Sequence, residues 1–187
     1  MSLLLLLRNH SSDNSLNKIP GIDLKSVLQF HGKTDEGCIV DVVGIAWKAI
    51  ITKIMEDKDE IYKIDPFKWE EILAGAYVKD GYDVTLTPRS GDHGRDIIAV
   101  KRGFVTFKIY DQMKAYAPGR VVPAVDVRAM LGTISGFNNV SKGIITTTSH
   151  FAPKLMCDPS IAAVVPNRVE LRDIDSLMQW LKILNNK

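Results

Sequence analysis

The sequence predicts an α/β domain with a mixed central β-sheet flanked by helices, on three observations. Residues 66–79 repeat apolar side chains at helical spacing, residues 82–87 and 104–113 alternate at a period of two, and residues 124–136 return to helical spacing before another strand. From Asp65 the order is therefore helix, three strands, helix and strand, with later additions; parallel pairing is expected only across the helical crossover. With 187 residues and 45% hydrophobic side chains, the chain can bury a real core.

Taken in order, residues 10–33 are polar and broken by Pro20, Gly21 and Gly32, which predicts loop with at most one short helix. Residues 38–43 suit a short strand, and Ile45, Ala49 or Ile50, and Ile54 lie near helical spacing over residues 45–55. A charged connector, residues 56–60, leads into the main part. Residues 1–60 are thus expected to form a small N-terminal region with no role assigned, and residues 61–187 the main domain. No zinc-finger or helix-turn-helix signature is visible in the N-terminal region.

Asp65 before Pro66 is a helix start, an acceptor at the cap followed by proline in the first turn. The apolar stripe Trp69, Ile72, Leu73, Ala76 and Tyr77 then runs to a stop at Asp80-Gly81. At about 100° per residue, Glu70 falls beside Tyr77 on the edge of that stripe and Glu71 on the opposite, solvated side. A strand over 82–87, a turn-rich stretch over 88–94 and a strand over 95–101 follow, closed by a hairpin at Lys101-Arg-Gly. Residues 104–113 predict a third strand, with Val105, Phe107, Ile109 and Met113 on one face and Lys108, Tyr110, Gln112 and Lys114 on the other. Asp111 is an acid on the apolar face. Pro118-Gly119 breaks the chain before the helix over 124–136, which turns Val127, Met130, Leu131 and Ile134 inward. A strand from Lys142, a short helical or irregular piece over 151–157, a strand over 168–171 and an amphipathic helix from Asp175 complete the pattern. Trp69 and Trp180 fall on apolar helix faces and belong to the core.

The net charge of +2 is unevenly spread: residues 1–60 hold 7 Lys+Arg against 9 Asp+Glu, and residues 61–187 hold 17 against 13. The excess permits a phosphate-binding face on the larger part, and it equally suits ordinary solvated surface. Cys38 and Cys157 are far apart and lack neighbouring ligand pairs, so free thiols are expected rather than a disulfide or zinc cluster. The leucine run at residues 3–7 is too short for a signal peptide and has no basic segment before it. A soluble, cytoplasmic protein with no membrane partner is expected.

Asp96 at the start of one strand, with Gln112 and Lys114 two apart on the next, can bring an oxygen pair and an ammonium together across a hairpin. Hydrolysis of a phosphodiester needs such a set. Asp96 and the Gln112 carbonyl are hard oxygen ligands suited to Mg²⁺, which polarises a phosphate and lowers the pKa of a bound water. Lys114 would position that water or stabilise charge developing on the phosphorane. Glu70, on the helix edge, would reach the same metal directly or through water. The same residues also suit plain structural roles, with Asp96 satisfying turn backbone groups and Gln112 and Lys114 forming the wet face of an edge strand.

Read together, Phe67-Lys-Trp-Glu-Glu-Ile, the run from Gly81 through Arg95-Asp-Ile-Ile-Ala, Asp111-Gln-Met-Lys-Ala-Tyr and Gly143-Ile-Ile-Thr-Thr-Thr-Ser-His-Phe resemble the Mrr-like restriction endonuclease family. That family belongs to the PD-(D/E)xK nucleases. The likeness runs from about Asp65 to the C-terminus and implies a restriction-endonuclease-like core. The family pattern comprises a helix acid, an Asp-x-Gly-x-Asp turn whose second Asp binds metal, and a (Glu/Gln)-x-Lys strand. It falls here on Glu70, on Asp92 and Asp96, and on Gln112 with Lys114. The resemblance implies a DNA endonuclease using Mg²⁺, with Mn²⁺ as a substitute, in restriction or defence against foreign DNA. Gln112 stands where the wider superfamily has Glu, which implies weaker metal binding through one fewer carboxylate. Asp92 is expected to shape the turn.

Further residues suit DNA contact or plain structure. His93 in the turn would donate to a phosphate or move a proton, or is surface; Arg128 and Lys142 would touch the DNA backbone, or are solvated charges. Thr147 and Ser149, in the run 146–149 before His150, would bind phosphate oxygens, or belong to a threonine-rich strand. A homodimer would suit cleavage of both strands of a duplex. The rival functions are a non-catalytic DNA-binding module that keeps the nuclease fold, and a nuclease acting on branched DNA or RNA.

Overall fold

The computed structural model describes residues 18–19, 22–23, 27–88 and 96–187. Strands β1 (Lys18–Ile19) and β2 (Ile22–Asp23) pair with each other, and β3 (Leu28–Thr34), β4 (Gly37–Val42) and helix α1 (Gly44–Glu56) follow. A 3₁₀ turn (Lys58–Lys63) leads to α2 (Pro66–Lys79), β5 (Asp83–Leu86), β6 (Ile97–Lys101) and β7 (Phe107–Lys114). Then come β8 (Val121–Val122), α3 (Ala124–Ser135), β9 (Lys142–Thr147), β10 (His150–Phe151), α4 (Pro159–Ala162), β11 (Val169–Arg172) and α5 (Ile174–Asn185).

The main sheet has seven strands in the order β11-β9-β7-β6-β5-β4-β3. From β3 to β7 every pairing is antiparallel, whereas β9 lies parallel to both β7 and β11. A separate short parallel pair joins β8 to β10. The α/β class with a mixed sheet is as expected, and parallel pairing does begin at the crossover through α3.

Both faces of the sheet are covered. One cluster joins Trp47 and Ile50 of α1, Trp69, Ile72 and Tyr77 of α2 and Leu181 of α5 to Ile97, Ile109 and Met113. The other joins Val127, Met130 and Ile134 of α3 to Ile98, Tyr110, Ile145 and Val169. Alternate residues of β6 and β7 therefore enter different cores, which is why Tyr110 is fully buried although it alternates with Ile109. The helix start at Asp65 is as expected: its carboxylate accepts the Phe67 amide at 2.9 Å, with Pro66 in the first turn. Trp69 lies in the core, and Trp180 packs half-buried against it. Both cysteines are free thiols.

Three expectations are corrected. Residues 28–34 form a strand rather than loop, because β3 is an edge with six of its seven residues exposed and needs no apolar alternation. Its ladder to β4 shifts register between Phe30 and Gly32. The strand expected from residue 104 begins at Phe107; Phe104 and Val105 lie exposed in the hairpin connection beyond the sheet. Glu71 is buried rather than solvated and accepts a hydrogen bond from Lys68 Nζ. Lys68, Glu71, Ile72 and Gly75 form one stripe of α2, and Trp47 of α1 packs on its Ile72–Gly75 part. The Trp47 indole donates to the Ile72 carbonyl at 2.9 Å, and a Cβ on Gly75 would stand 2.6 Å from Trp47 Cδ1. Only glycine permits that approach. Among the described residues no helix is long and apolar enough to cross a membrane.

Candidate active site

Ile97 pairs with Asp111 in the antiparallel ladder, so Asp96 enters the sheet beside Gln112. The ladder ends irregularly there. The Asp96 amide donates to the Asp111 carbonyl at 2.9 Å, and the Asp96 carboxylate accepts the Met113 amide at 2.7 Å through Oδ2. Thr87, just past β5, holds the Asp96 carbonyl with its amide at 3.0 Å and its hydroxyl at 3.2 Å. Because Met113 lies between Gln112 and Lys114, the acid is fastened to the backbone at the centre of the Gln-x-Lys strand. A hydrogen bond to a charged carboxylate contributes about 2 kcal/mol, enough to hold this geometry against one side chain's rotamer entropy.

Gln112 and Lys114 share the face of β7 that also carries Tyr110, the face packed by α3. Gln112 is half-buried, and its side chain makes no hydrogen bond among the described residues. The Lys114 ammonium lies 3.8 Å from Asp126 Oδ1, and each of the two side chains is 22% exposed. Asp126 occupies the first turn of α3 and was not singled out from the sequence. Glu70 is half-buried in the second turn of α2, on the opposite side of the sheet from α3. Since α2 runs into β5 through the turn at residues 80–82, its first half lies toward the end of the sheet where β6 begins.

The other face of β7 carries a buried charge. Asp111 is fully buried, and its Oδ2 accepts from the Tyr77 hydroxyl at 2.7 Å and the Thr146 hydroxyl at 2.9 Å. Arg172 Nη1 lies 3.5 Å from the same oxygen and donates to the Tyr77 hydroxyl at 3.2 Å. Burial pushes the Asp111 carboxyl up to about 6, against the opposing pull of Arg172, Tyr77 and Thr146. Burial, followed by the Asp111 charge, likewise pushes the Tyr77 phenol well above its ordinary range.

The remaining residues singled out in the sequence are spread more widely. Arg128 pairs with Asp158 at 2.7 Å on the surface. Lys142 pairs with Glu170 at 3.1 Å and stands beside Ile109, five residues from the Lys114–Thr147 rung and so at the far end of β9. The hydroxyls of the threonine run are bonded inside the protein. Thr147 donates to the Lys114 carbonyl at 2.7 Å, Thr148 to the Tyr116 carbonyl at 2.9 Å and Ser149 to the Arg120 carbonyl. His150, Asp173 and Asp175 each offer one ligand atom, all within 4.8 Å of one another, past the ends of β9 and β11. Asp173 also caps α5 through the Ser176 amide at 2.9 Å. Asp92 and His93 lie outside the described residues.

The family model Mrr_cat, described as restriction endonuclease, matches residues 61–181. Among solved structures the chain is similar to the DNA modification-dependent restriction endonuclease AspBHI, at 18% identity and a TM-score of 0.51, covering 75% of this chain and 35% of that one. It is also similar to restriction endonuclease FokI, at 12% identity and a TM-score of 0.52, covering 75% and 30%. A third similarity is to the MspJI restriction endonuclease in complex with a 27-mer oligonucleotide, at 15% identity and a TM-score of 0.46, covering 77% and 33%. Among curated proteins none matches the chain. The chain thus spans about a third of the length of the endonucleases whose fold it shares.

Proposed function

Because this chain belongs to the restriction endonuclease family, we propose that it is a divalent-metal-dependent DNA endonuclease whose reacting groups are Asp96, Gln112 and Lys114. The observation that carries this reading is the 2.7 Å bond from the Met113 amide to Asp96, which holds a carboxylate against a Gln-x-Lys strand. The biological setting is restriction, directed at foreign DNA in the cytoplasm.

The donor set fits a hard cation. Asp96 supplies a carboxylate and Gln112 an amide carbonyl with no competing hydrogen bond among the described residues, both oxygen donors of the kind Mg²⁺ and Mn²⁺ accept. Bound between them, such an ion would polarise the scissile phosphate and activate water. Lys114 has a separate task. Its ammonium neutralises the charge that gathers on the phosphate oxygens as water adds to phosphorus and one ester P–O bond breaks. Glu70 would supply a second acid to such an ion from the α2 side.

The test is cleavage of methylated and unmethylated plasmid DNA by the purified chain with Mg²⁺ or Mn²⁺, beside Asp96→Ala and Lys114→Ala. Metal-dependent cutting that disappears in both variants supports the endonuclease and its site. DNA binding without cutting, indifferent to both substitutions, would identify a non-catalytic binding module. Competition by branched DNA or RNA would redirect the substrate class, and sedimentation with and without DNA would test for the homodimer that two-strand cutting suits.

A further inference from the structure

We propose that Asp126 is a positioning residue of this site, aiming the Lys114 ammonium at the phosphate without capturing it; the proposal rests on reading Lys114 as part of the nuclease site. A lysine brings a long flexible stem, and fixing it costs about 2 kcal/mol of rotamer entropy. Something must hold it if it is to act at one place.

Asp126 Oδ1 lies 3.8 Å from Lys114 Nζ, inside ion-pairing range and beyond a hydrogen bond. At that separation the carboxylate attracts the ammonium while the three N–H groups stay uncommitted to it. Other lysines of the same sheet behave differently. Lys108, on β7, donates to Glu36 at 2.9 Å, and Lys142, on β9, donates to Glu170 at 3.1 Å. Those two are closed pairs, and Lys114–Asp126 is an open one.

Both members are also held in place by one stretch of chain. Thr147 bonds the Lys114 carbonyl at 2.7 Å. The next residues tie down the connection that leads to Asp126: the Tyr116 amide donates to Thr148 at 2.8 Å, Ser149 bonds the Arg120 carbonyl, and the Ala152 amide donates to the Val122 carbonyl at 3.0 Å. Val122 and Val127, on either side of the α3 start, are fully buried. Hence the hydroxyl run 147–149 sets the spacing between acid and ammonium. An incidental surface ion pair would instead contribute roughly 0–1 kcal/mol to stability and nothing to turnover.

The test compares wild type, Asp126→Asn, Asp126→Glu and Lys114→Ala in three measurements: single-turnover cleavage with Mn²⁺, DNA affinity without metal, and the NMR order of the Lys114 ammonium, assigned by its loss in Lys114→Ala. We expect Asp126→Asn to retain the wild-type Tm and to bind DNA equally or more tightly, since a negative charge has gone. It should nevertheless cut on the order of 10²-fold more slowly, as expected for a misplaced reacting group. Asp126→Glu should recover part of the rate, and the ammonium should lose order in Asp126→Asn. An equally mobile ammonium in wild type and Asp126→Asn, or an unchanged cleavage rate, overturns the proposal. If wild type never cuts but the ammonium still loses order in Asp126→Asn, the positioning stands and the nuclease reading fails.

Discussion

Asp111 and Gln112 are neighbours on β7 and face opposite sides of the sheet, and the two sides treat polar groups in opposite ways. Asp111 is fully buried; Tyr77, Thr146 and Arg172 gather on its Oδ2, and its Oδ1 has no hydrogen-bond partner among the described residues. Gln112 and Lys114 are half-buried, without a hydrogen bond to close either head group among the described residues. On one side a charged group is sealed from water among side chains of the fold, whereas on the other the head groups stay partly exposed with bonding capacity left over. Strand alternation keeps the two kinds apart although they are adjacent in sequence.

The comparison is broken most severely from the closed side. Arg172→Leu leaves Asp111 buried without its cation and should cost about 3–5 kcal/mol, read as a lower urea midpoint at pH 7. At a temperature where the variant is still folded, cutting should be little changed. From the open side, Lys114→Ala should lower the cleavage rate by roughly 10²–10³-fold with the urea midpoint nearly unmoved.

A titration sharpens the contrast. The Asp111 carboxyl is raised from its ordinary 3.8 to about 6, so the native state binds this proton more tightly than the unfolded chain does. Its contribution is fully present below the ordinary value and is lost as pH rises through about 6, on the order of 3 kcal/mol across that interval. Asp111→Asn keeps an acceptor for Tyr77 and Thr146 but cannot titrate. The stability of wild type relative to this variant should therefore fall between pH 4 and pH 7, as measured by urea unfolding at several pH values. A difference independent of pH would mean that Asp111 keeps its charge throughout. The smallest effect belongs to Gln112→Glu, which adds a carboxylate and should lower the Mn²⁺ concentration for half-maximal cutting by about tenfold, or ~1.4 kcal/mol.

Sequence patterns revealed the parts of this architecture that local physics determines. The α2 start at Asp65-Pro66, the alternation through β7 and the inward face of α3 are all matters of spacing and capping. That Asp96, Gln112 and Lys114 lie side by side was legible because a single hairpin joins them. What stayed hidden depends on distant chain. Glu71 looked solvated because helical periodicity alone does not show which faces of α2 distant chain will cover; Trp47 of α1, for one, packs on the neighbouring Ile72. Edge strand β3 lacks alternation because almost nothing packs on it. Asp126 is met by Lys114 only after the path from 115 to 123 has been fastened rung by rung to the residues past β9.

β7 is also the strand at which the sheet changes direction, antiparallel to β6 and parallel to β9. Chain leaving Lys114 cannot fold back as a hairpin and must travel over the sheet through α3 before it rejoins the main sheet at β9. Open α/β sheets hold ligands just beyond the carboxyl ends of their strands, and Gln112 and Lys114 stand at that end of β7. The address of the candidate site is therefore a property of strand direction, and its proposed chemistry a property of a few side chains. Descendants of this chain could exchange Gln112, Lys114 or Asp126 for other residues, and so change what is done there, without relocating where it is done.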